Sequence, residues 1–392
     1  MNAEMGKYDF DRIVNRRGTL SYKWDDTEEG VLPMWVADMD FQTAPCIIEA
    51  LHKRIDNGCF GYTLVPDEYY SATADWFEKR HGWHIDREMM IYTSGVVPAI
   101  SAIIKALTEK GDKVIVQTPV YNCFFSSIRN NGCEIVSNPL IKRDDTFHID
   151  FEDLEKKASD PKAKLMLLCN PHNPAGRVWT KEELARVGEI CARHYVMVIS
   201  DEIHCEFVFK GYEYTPFASI SEETGKNSIV CISPSKAFNI AGLQIANIVA
   251  PNAEIRAKID KAININEVCD VNPFGVIATI EAYRRGGEWL DALVEYIYGN
   301  YEYFRAFCSE NLPEFPIARL EGTYLAWMDC RKTGLTSELM EQELEEEVKL
   351  KLNAGTMYGP EGEGYLRWNL ACPRKLLEDG LDRFLQYIRN AR

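Results

Sequence analysis

The feature that most constrains the fold is an alternation of short apolar, β-branched runs with amphipathic helical patterns. A buried strand is a short continuous apolar run, whereas a helix shows apolar residues every three or four positions. Seven runs of the first kind are predicted as strands: 90–93, 113–117, 133–137, 164–169, 196–200, 228–232 and 244–250. Strands that alternate with helices are joined by crossover connections, so the pattern predicts an α/β fold with a mostly parallel sheet flanked by helices.

Helical signals lie between these strands. Thr180 and Glu183 have the spacing of a capping box, which predicts a helix that continues to His194. Asp150 is predicted to cap a helix over 151–158. A further helix is predicted from one apolar stripe, which consists of Ile100, Ile103, Ile104 and Leu107.

After residue 287 the pattern changes to that of a separate α+β region. The predicted elements are a long amphipathic helix at 288–311, a strand at 324–328, an acidic helix around 338–352, a strand at 365–369 and a last helix from Pro373. The sequence therefore predicts a large α/β domain, residues 48–287. A smaller α+β domain would comprise residues 288–392 together with the N-terminal segment 1–47.

Net charge and cysteine usage limit the possible partners and compartment. The chain has 60 acidic and 44 basic residues, a net charge of −16 that disfavours nucleic acid and anionic membranes as partners. No stretch approaches the roughly 20 apolar residues that span a bilayer, and the N-terminus lacks an apolar signal core. The 12 cysteines are scattered, as is typical of small core residues in a reducing cytosol. We therefore expect a cytoplasmic protein.

Lys236 directly follows a predicted buried strand, with Ser233 and Ser235 just before it. A buried ammonium group is costly, and one reason to place it there is a Schiff base with an aldehyde cofactor. The two serine hydroxyls would then bind a cofactor phosphate. Taken alone the signal is modest, because most lysines preceded by serines are ordinary surface residues.

Four other residues occupy similar positions at strand ends or within a strand. Gly95 precedes a helix whose free N–H groups would bind a phosphate, and Asn173 lies in a doubled Asn-Pro turn at a strand end. Asp201 ends a strand, where a carboxylate would hold a pyridinium nitrogen charged. Arg367 on a strand suits bidentate capture of a carboxylate. A plain turn, a helix cap and a structural ion pair remain the alternative interpretations.

Other common site motifs are missing from the sequence. There is no Gly-x-Gly-x-x-Gly and no Walker-type Gly-Lys-Ser/Thr, so dinucleotide and ATP binding lack support. His81 with His84, and Cys169 with His172, have a loose metal-ligand spacing, but no set of four ligands forms. No metal site is therefore predicted.

Asn173, Asp201, Lys236 and Arg367, in this order and each in its own strand or turn, resemble the fold-type I pyridoxal-phosphate enzymes of the aspartate aminotransferase superfamily. The resemblance covers nearly the whole chain. Longer segments are similar to the cystathionine β-lyase, or C–S lyase, branch of that superfamily: 33–41, 60–62, 170–179, 200–204 and 235–243.

The resemblance implies a role for each of these residues. Lys236 would form a Schiff base with pyridoxal 5'-phosphate, Asp201 would pair with its ring nitrogen, and Tyr121 would stack on the ring. The chain would form a homodimer in which Tyr62 reaches the cofactor of the other subunit. The remaining cofactor contacts would come from Ser94, Gly95, Val96, Asn173, His204, Ser233 and Ser235. The amino-acid substrate would be bound by Arg367 and Asn173, with Trp35, Val36 and Ala37 closing over it.

Two departures from the aminotransferase pattern favour the lyase branch. Gln244 stands where aminotransferases carry an arginine, and His204 stands where they carry a tyrosine. The implied reaction is α,β-elimination of L-cystathionine or a related cysteine S-conjugate to a thiol, pyruvate and ammonia. The alternatives are an aminotransferase with the same cofactor and an additional, non-enzymatic regulatory role in binding another protein.

Overall fold

The computed structural model describes residues 7–265, 267 and 271–390. Its helices are α1 Tyr22–Asp25, α2 Pro45–Asp56, α3 Asp67–His81, α4 Val96–Leu107, α5 Cys123–Asn130, α6 Phe151–Ala158, α7 Lys181–Arg193, α8 Glu222–Lys226, α9 Ala253–Asn264, α10 Pro273–Arg285, α11 Gly287–Asn311, α12 Ser337–Val348 and α13 Arg374–Asn390. Its strands are β1 Leu32–Pro33, β2 Met90–Thr93, β3 Lys113–Val116, β4 Glu134–Ser137, β5 Ile141–Arg143, β6 Thr146–His148, β7 Ala163–Cys169, β8 Met197–Asp201, β9 Ser228–Ile232, β10 Ala246–Val249, β11 Leu325–Asp329, β12 Leu350–Lys351, β13 Asn353–Ala354 and β14 Tyr365–Asn369.

All seven strands predicted for the α/β region lie in one seven-stranded sheet, in the order β2-β10-β9-β8-β7-β3-β4. The pairs from β9 to β4 are parallel. Strand β10 runs antiparallel to both β2 and β9. The expected α/β fold with a mostly parallel sheet is therefore confirmed.

Helices cover both faces of this sheet, because successive residues of each strand direct apolar side chains to one face and then to the other. On β7, Leu165 and Leu167 face the layer that contains α4 and α5. Met166 and Leu168 face the opposite layer, against α6 and α7. A strand buried on both faces requires a continuous apolar run, which is the pattern seen in the sequence.

The predicted helix starts are present as side-chain caps. The Thr180 hydroxyl accepts from the Glu183 N–H at 3.2 Å, and the Glu183 carboxylate accepts from the Thr180 N–H at 2.9 Å, which completes the capping box of α7. Asp150 accepts from the Asp153 N–H at 3.0 Å and caps α6. These caps fix where the two helices begin relative to the sheet.

A second sheet of three antiparallel strands has the order β11-β14-β13, so Arg367 lies on its central strand. The helix predicted over 338–352 is too long, since α12 ends at Val348. Lys349 adopts a left-handed φ of 57°, which stops the helix. The next two residues form β12, which pairs with β1 near the N-terminus.

The N-terminal segment thereby joins the region of the three-stranded sheet, where α11 and α13 also pack. The predicted domain boundaries, after residues 47 and 287, stay predictions. Within the described residues no helix has the length and apolar character needed to cross a membrane.

Candidate active site

A cavity of about 490 Å³ lies at the carboxyl ends of β7, β8 and β9, beside the start of α4 and below the loop that follows β1. Most of the predicted site residues line this cavity: Trp35, Val36, Ala37, Gly95, Val96, Tyr121, Asn173, Asp201, His204, Ser235, Lys236 and Arg367. Residues far apart in the sequence are thus brought to one edge of the central sheet, where α/β folds place their ligands.

Lys236 follows β9 and extends its amine towards the cavity, where Nζ donates to the Ala37 carbonyl at 2.7 Å. The side chain is partly buried, and burial lowers the pKa of the amine. The nearby Asp38 carboxylate opposes the shift, while the Arg367 guanidinium adds to it. A larger fraction of the amine is therefore neutral, and only the neutral form acts as a nucleophile or a base.

Asp201 is the last residue of β8 and is buried. One carboxylate oxygen accepts from the Ile203 N–H at 3.1 Å. Burial raises the pKa of Asp201 to about 7, against the Ile203 hydrogen bond and the positive charge of Lys236. Because so few donors and cations offset its buried negative charge, this carboxylate is suited to bind a cationic group of a ligand.

Arg367 is buried on β14 and is incompletely paired. Its guanidinium donates to the Asn173 side-chain oxygen at 3.2 Å and to the Trp35 carbonyl at 2.7 Å. Its Nε has no hydrogen-bond partner among the described residues, and the group lies 4.8 Å from the ring centre of Tyr358. An unpaired buried N–H favours an anionic ligand group that would accept from it.

The start of α4 supplies backbone donors to the cavity. The N–H groups of Val96 and Val97 lie in the first turn of the helix, where no intrahelical acceptor exists. Ser235 lines the cavity as predicted. Ser233 does not; its hydroxyl lies 2.6 Å from the Ile245 carbonyl and accepts from the Ser235 N–H at 3.1 Å. Ser233 therefore positions the turn that carries Ser235.

Side chains from the three-stranded sheet region donate hydrogen bonds to the loop at 35–38, which lies over the cavity. The Ala37 carbonyl, which accepts from Lys236, also accepts from the Tyr324 hydroxyl at 2.9 Å. The side-chain amide of Asn369 donates to the carbonyls of Val36 and Asp38, both at 2.6 Å. Tyr324 immediately precedes β11, and Asn369 ends β14, so the three-stranded sheet fixes this loop.

His204 is 3% exposed, lines the cavity and has no partner for Nδ1 among the described residues. Burial lowers the pKa of its imidazole to about 3, and the charges of Lys236 and Arg367 add to the effect. Its ring packs edge-on against Tyr324, with 5.6 Å between ring centres. His204 is therefore neutral at physiological pH and adds no charge to the cavity.

Three of the residues singled out in the sequence lie elsewhere. Ser94 is not part of the cavity lining, although the adjacent Gly95 and Val96 are. Tyr62 is 96% exposed on the loop between α2 and α3, and its contact with a partner subunit stays a prediction. Gln244 is exposed, with a left-handed φ of 50°.

Sequence reasoning also missed several residues that line the cavity: Tyr22, Asn122, Cys123, Cys169, Asn353, Met357 and Tyr358. Several of these side chains come from loops and short turns outside the quoted motifs. Only the adjacency of Cys123 to Tyr121, and of Cys169 to the doubled Asn-Pro turn, offered a signal.

A family model, aminotransferase class I and II, matches residues 30–384. The chain is 45% identical over 379 residues to cystathionine beta-lyase PatB of Bacillus subtilis, with 95% of this chain and 98% of that protein covered. It is 35% identical over 392 residues to protein MalY of Escherichia coli, with 98% of this chain and 100% of that protein covered.

Solved structures agree with these relatives. Cystalysin from Treponema denticola, which contains a pyridoxal 5'-phosphate cofactor, matches with a TM-score of 0.95 at 35% identity, covering 98% of this chain and 100% of that one. The pyridoxal-phosphate-bound C–S lyase from Staphylococcus hominis matches with a TM-score of 0.91 at 34% identity, covering 97% and 99%. The chain therefore belongs to the aminotransferase class I and II family, in its cystathionine β-lyase, or C–S lyase, branch.

Proposed function

We propose that this protein is a pyridoxal-phosphate-dependent carbon–sulfur lyase. It would cleave L-cystathionine or a related cysteine S-conjugate into a thiol, pyruvate and ammonia. The observation that carries the proposal is the convergence of a lysine amine, a carboxylate and an incompletely paired guanidinium on one cavity, from Lys236, Asp201 and Arg367. The names of the relatives at 45% and 31% identity, both cystathionine beta-lyase, support the choice of reaction.

The residues present fit the cofactor and an amino-acid substrate. Asp201 has one hydrogen-bond donor and a pKa raised to about 7 by burial, so a protonated ring nitrogen would supply its missing partner. The free N–H groups at the start of α4 and the Ser235 hydroxyl would hold the phosphate. The unpaired Nε–H of Arg367 would donate to one oxygen of the substrate carboxylate.

When bound, the cofactor supplies an electron-withdrawing ring that stabilises negative charge at the substrate Cα. The Asp201 carboxylate would keep the ring nitrogen protonated, because a nearby anion favours the cationic form. Arg367 and Asn173, which lie 3.2 Å apart, orient the substrate through its carboxylate.

Lys236 moves the proton that starts the elimination. Its amine, whose pKa is lowered by burial, acts as the general base that takes the Cα proton. The Ala37 carbonyl, already 2.7 Å from Nζ, accepts a hydrogen bond from the resulting ammonium group. Loss of the proton allows the sulfur group to leave from Cβ as a thiolate. The loop at 35–38 covers the cavity and limits the access of water.

The test uses purified protein with pyridoxal phosphate and L-cystathionine, and no added keto acid. We expect pyruvate and free thiol in equal amounts. Lys236→Ala should lose nearly all turnover and the visible absorbance of the Schiff base, whereas the exposed control Lys226→Ala should keep both. Turnover that requires a keto acid would instead identify an aminotransferase.

We also propose that the active unit is a homodimer. Phe60, Tyr62 and Leu64 are 58%, 96% and 85% exposed on one loop, an unusual amount of exposed apolar surface for so short a segment. Analytical ultracentrifugation should find a dimer, and Tyr62→Ala should weaken retention of the cofactor if Tyr62 reaches the partner's cavity. A fully active monomer would contradict this proposal.

A further inference from the structure

Two cysteines line the active-site cavity, and their surroundings differ. Cys169, at the end of β7, is buried, and its sulfur accepts from the Asn173 N–H at 3.4 Å and donates to the Pro171 carbonyl at 3.3 Å. Burial, reinforced by the negative charge of Asp201, raises the pKa of its thiol. Cys169 is therefore held as an unreactive thiol.

Cys123, the first residue of α5, is only partly buried. Its thiol lies 3.9 Å from the Asn122 side-chain oxygen, which makes a weak hydrogen bond. A negative charge on Cys123 would raise the pKa of both Tyr121 and Lys236, so the thiol lies within electrostatic reach of both groups. Cys123 is thus the accessible thiol of the pair.

A second observation indicates that the cavity receives a polar ligand. His204 is 3% exposed and lines the same cavity, and no hydrogen bond to its Nδ1 exists among the described residues. A buried polar group without a partner is rare in folded proteins. Cys123 therefore lines a cavity that contains an unsatisfied polar group.

Resting on the proposed lyase function, we propose that Cys123 accepts a sulfur atom when the substrate is a disulfide of cysteine, such as cystine. In that case elimination breaks the Cβ–S bond next to the disulfide, and the leaving group is a persulfide, R–S–SH. It is released in the cavity that Cys123 lines.

The transfer balances without an oxidant or a reductant. The Cys123 sulfur attacks the outer sulfur of R–S–SH, the S–S bond breaks, and its electron pair leaves with the inner sulfur. That sulfur takes the proton from the Cys123 thiol and is released as cysteine, R–SH. The protein keeps Cys123–S–SH, a persulfide that a second thiol can remove.

The test incubates the wild-type holoenzyme with cystine in the absence of reductant, followed by alkylation, digestion and mass spectrometry. We expect an added mass of about 32 Da, one sulfur atom, on the peptide that contains Cys123. Cystathionine, which has no S–S bond, should yield pyruvate without this modification. Cys46, which is partly exposed on α2 and does not line the cavity, serves as the internal control for sulfur picked up from solution.

Two variants separate enzymatic transfer from other routes. Lys236→Ala should lose the added sulfur, because no persulfide is formed. Cys123→Ser should shift the sulfur from the protein to free persulfide in solution, measured by cyanolysis. Modification of Cys46 to the same extent as Cys123, or a mixed disulfide with cysteine that forms equally in Lys236→Ala, would overturn the proposal.

The two proposals fail in different ways. Pyruvate from cystine without sulfur on Cys123 would overturn the sulfur transfer and leave the lyase function intact. No pyruvate from either cystine or cystathionine would overturn the lyase function, and the sulfur transfer with it.

Discussion

Two buried carboxylates near the carboxyl end of β8, Asp201 and Glu206, have opposite surroundings. Asp201 faces the cavity with one backbone donor, the Ile203 N–H, and burial raises its pKa to about 7. Glu206 lies against α3, where it accepts from Trp76 Nε1 at 2.7 Å and Arg80 Nε at 3.2 Å. Burial alone would raise the pKa of Glu206, but His81, Arg80 and Trp76 together lower it.

This difference in hydrogen-bond partners distinguishes a buried carboxylate of a ligand site from a structural one. Glu206 has its partners within the chain and is a structural ion pair, whereas Asp201 has a space where a partner would be. His81, Cys205 and Glu206 also come within 4.8 Å of one another, the geometry of metal ligands. The Arg80 guanidinium already supplies the cation there, at 3.2 Å from Glu206.

The largest effect should follow from removing the charge of Asp201. In Asp201→Asn the amide cannot keep a ring nitrogen protonated, so pyruvate release should fall by roughly a thousandfold, within the range found when a proton-transfer group is disabled. The free energy of unfolding without cofactor should not fall, because the buried charge is itself unfavourable. Wild-type turnover in this variant would show that Asp201 and Glu206 do not differ in function.

Glu206→Gln should give the reverse result. Arg80 would keep only its exposed partner Asp291, so the free energy of unfolding should fall by about 2 kcal/mol, measured by urea denaturation. Turnover per folded molecule should stay near that of the wild type, since Glu206 does not line the cavity. Glu222→Gln, which breaks the exposed pair with Lys226, should leave stability unchanged.

In the cofactor-free protein, the contributions of Asp201 and Glu206 to the free energy of unfolding should depend on pH in opposite directions. Because the pKa of Asp201 is raised to about 7, the folded state holds a proton that the unfolded chain loses near the ordinary pKa of 3.8. Its contribution to stability therefore falls as pH rises from about 4 to about 7. The pKa of Glu206 is lowered, so its contribution is present above the ordinary pKa of 4.5 and is lost as pH falls through the lowered pKa.

Urea denaturation of the wild type and both variants across this pH range tests the signs. Asp201→Asn should remove the decline between about pH 4 and pH 7, and Glu206→Gln should remove part of the loss in acid. A decline of the same size in Asp201→Asn and in the wild type would contradict the assignment.

The smallest effect concerns a neutral hydrogen bond at the cavity. Tyr324→Phe removes the donor to the Ala37 carbonyl, so Lys236 would be held less firmly and kcat should fall about fivefold, the equivalent of one hydrogen bond of about 1 kcal/mol. The matched control is Tyr387→Phe, which removes a buried hydroxyl bonded to Glu343 at 2.6 Å, away from the cavity. Equal losses in both variants would indicate a general effect on stability.

The sequence was sufficient for the fold because the signals for strands and caps are local. All seven central strands were predicted within two residues at either end, and the caps at Thr180 and Asp150 are present. The acidic helix was predicted too long, because its end depends on pairing between β12 and β1, which are far apart in the chain.

The residues that line the cavity were predicted only in part, because only those with a local sequence signal could be identified. Residues in strand-end motifs, such as Asp201 and Lys236, could be found from their place in the sequence. The direction of a side chain could not be found in this way: the Ser233 hydroxyl donates to the Ile245 carbonyl, and its contact with a phosphate stays a prediction. Tyr22 and Met357 line the cavity through tertiary packing, and no local pattern marks them.

The hydrogen bonds of the loop at 35–38 have a mechanical consequence. The carbonyls of this loop are bound by Arg367 and Asn369 of β14 and by Tyr324 beside β11, and β1 just before the loop pairs with β12. The loop and the arginine that would bind the substrate carboxylate are thus joined by direct hydrogen bonds. A shift of Arg367 on binding a carboxylate would therefore be passed directly to the loop, which would couple recognition of the carboxylate to the exclusion of solvent.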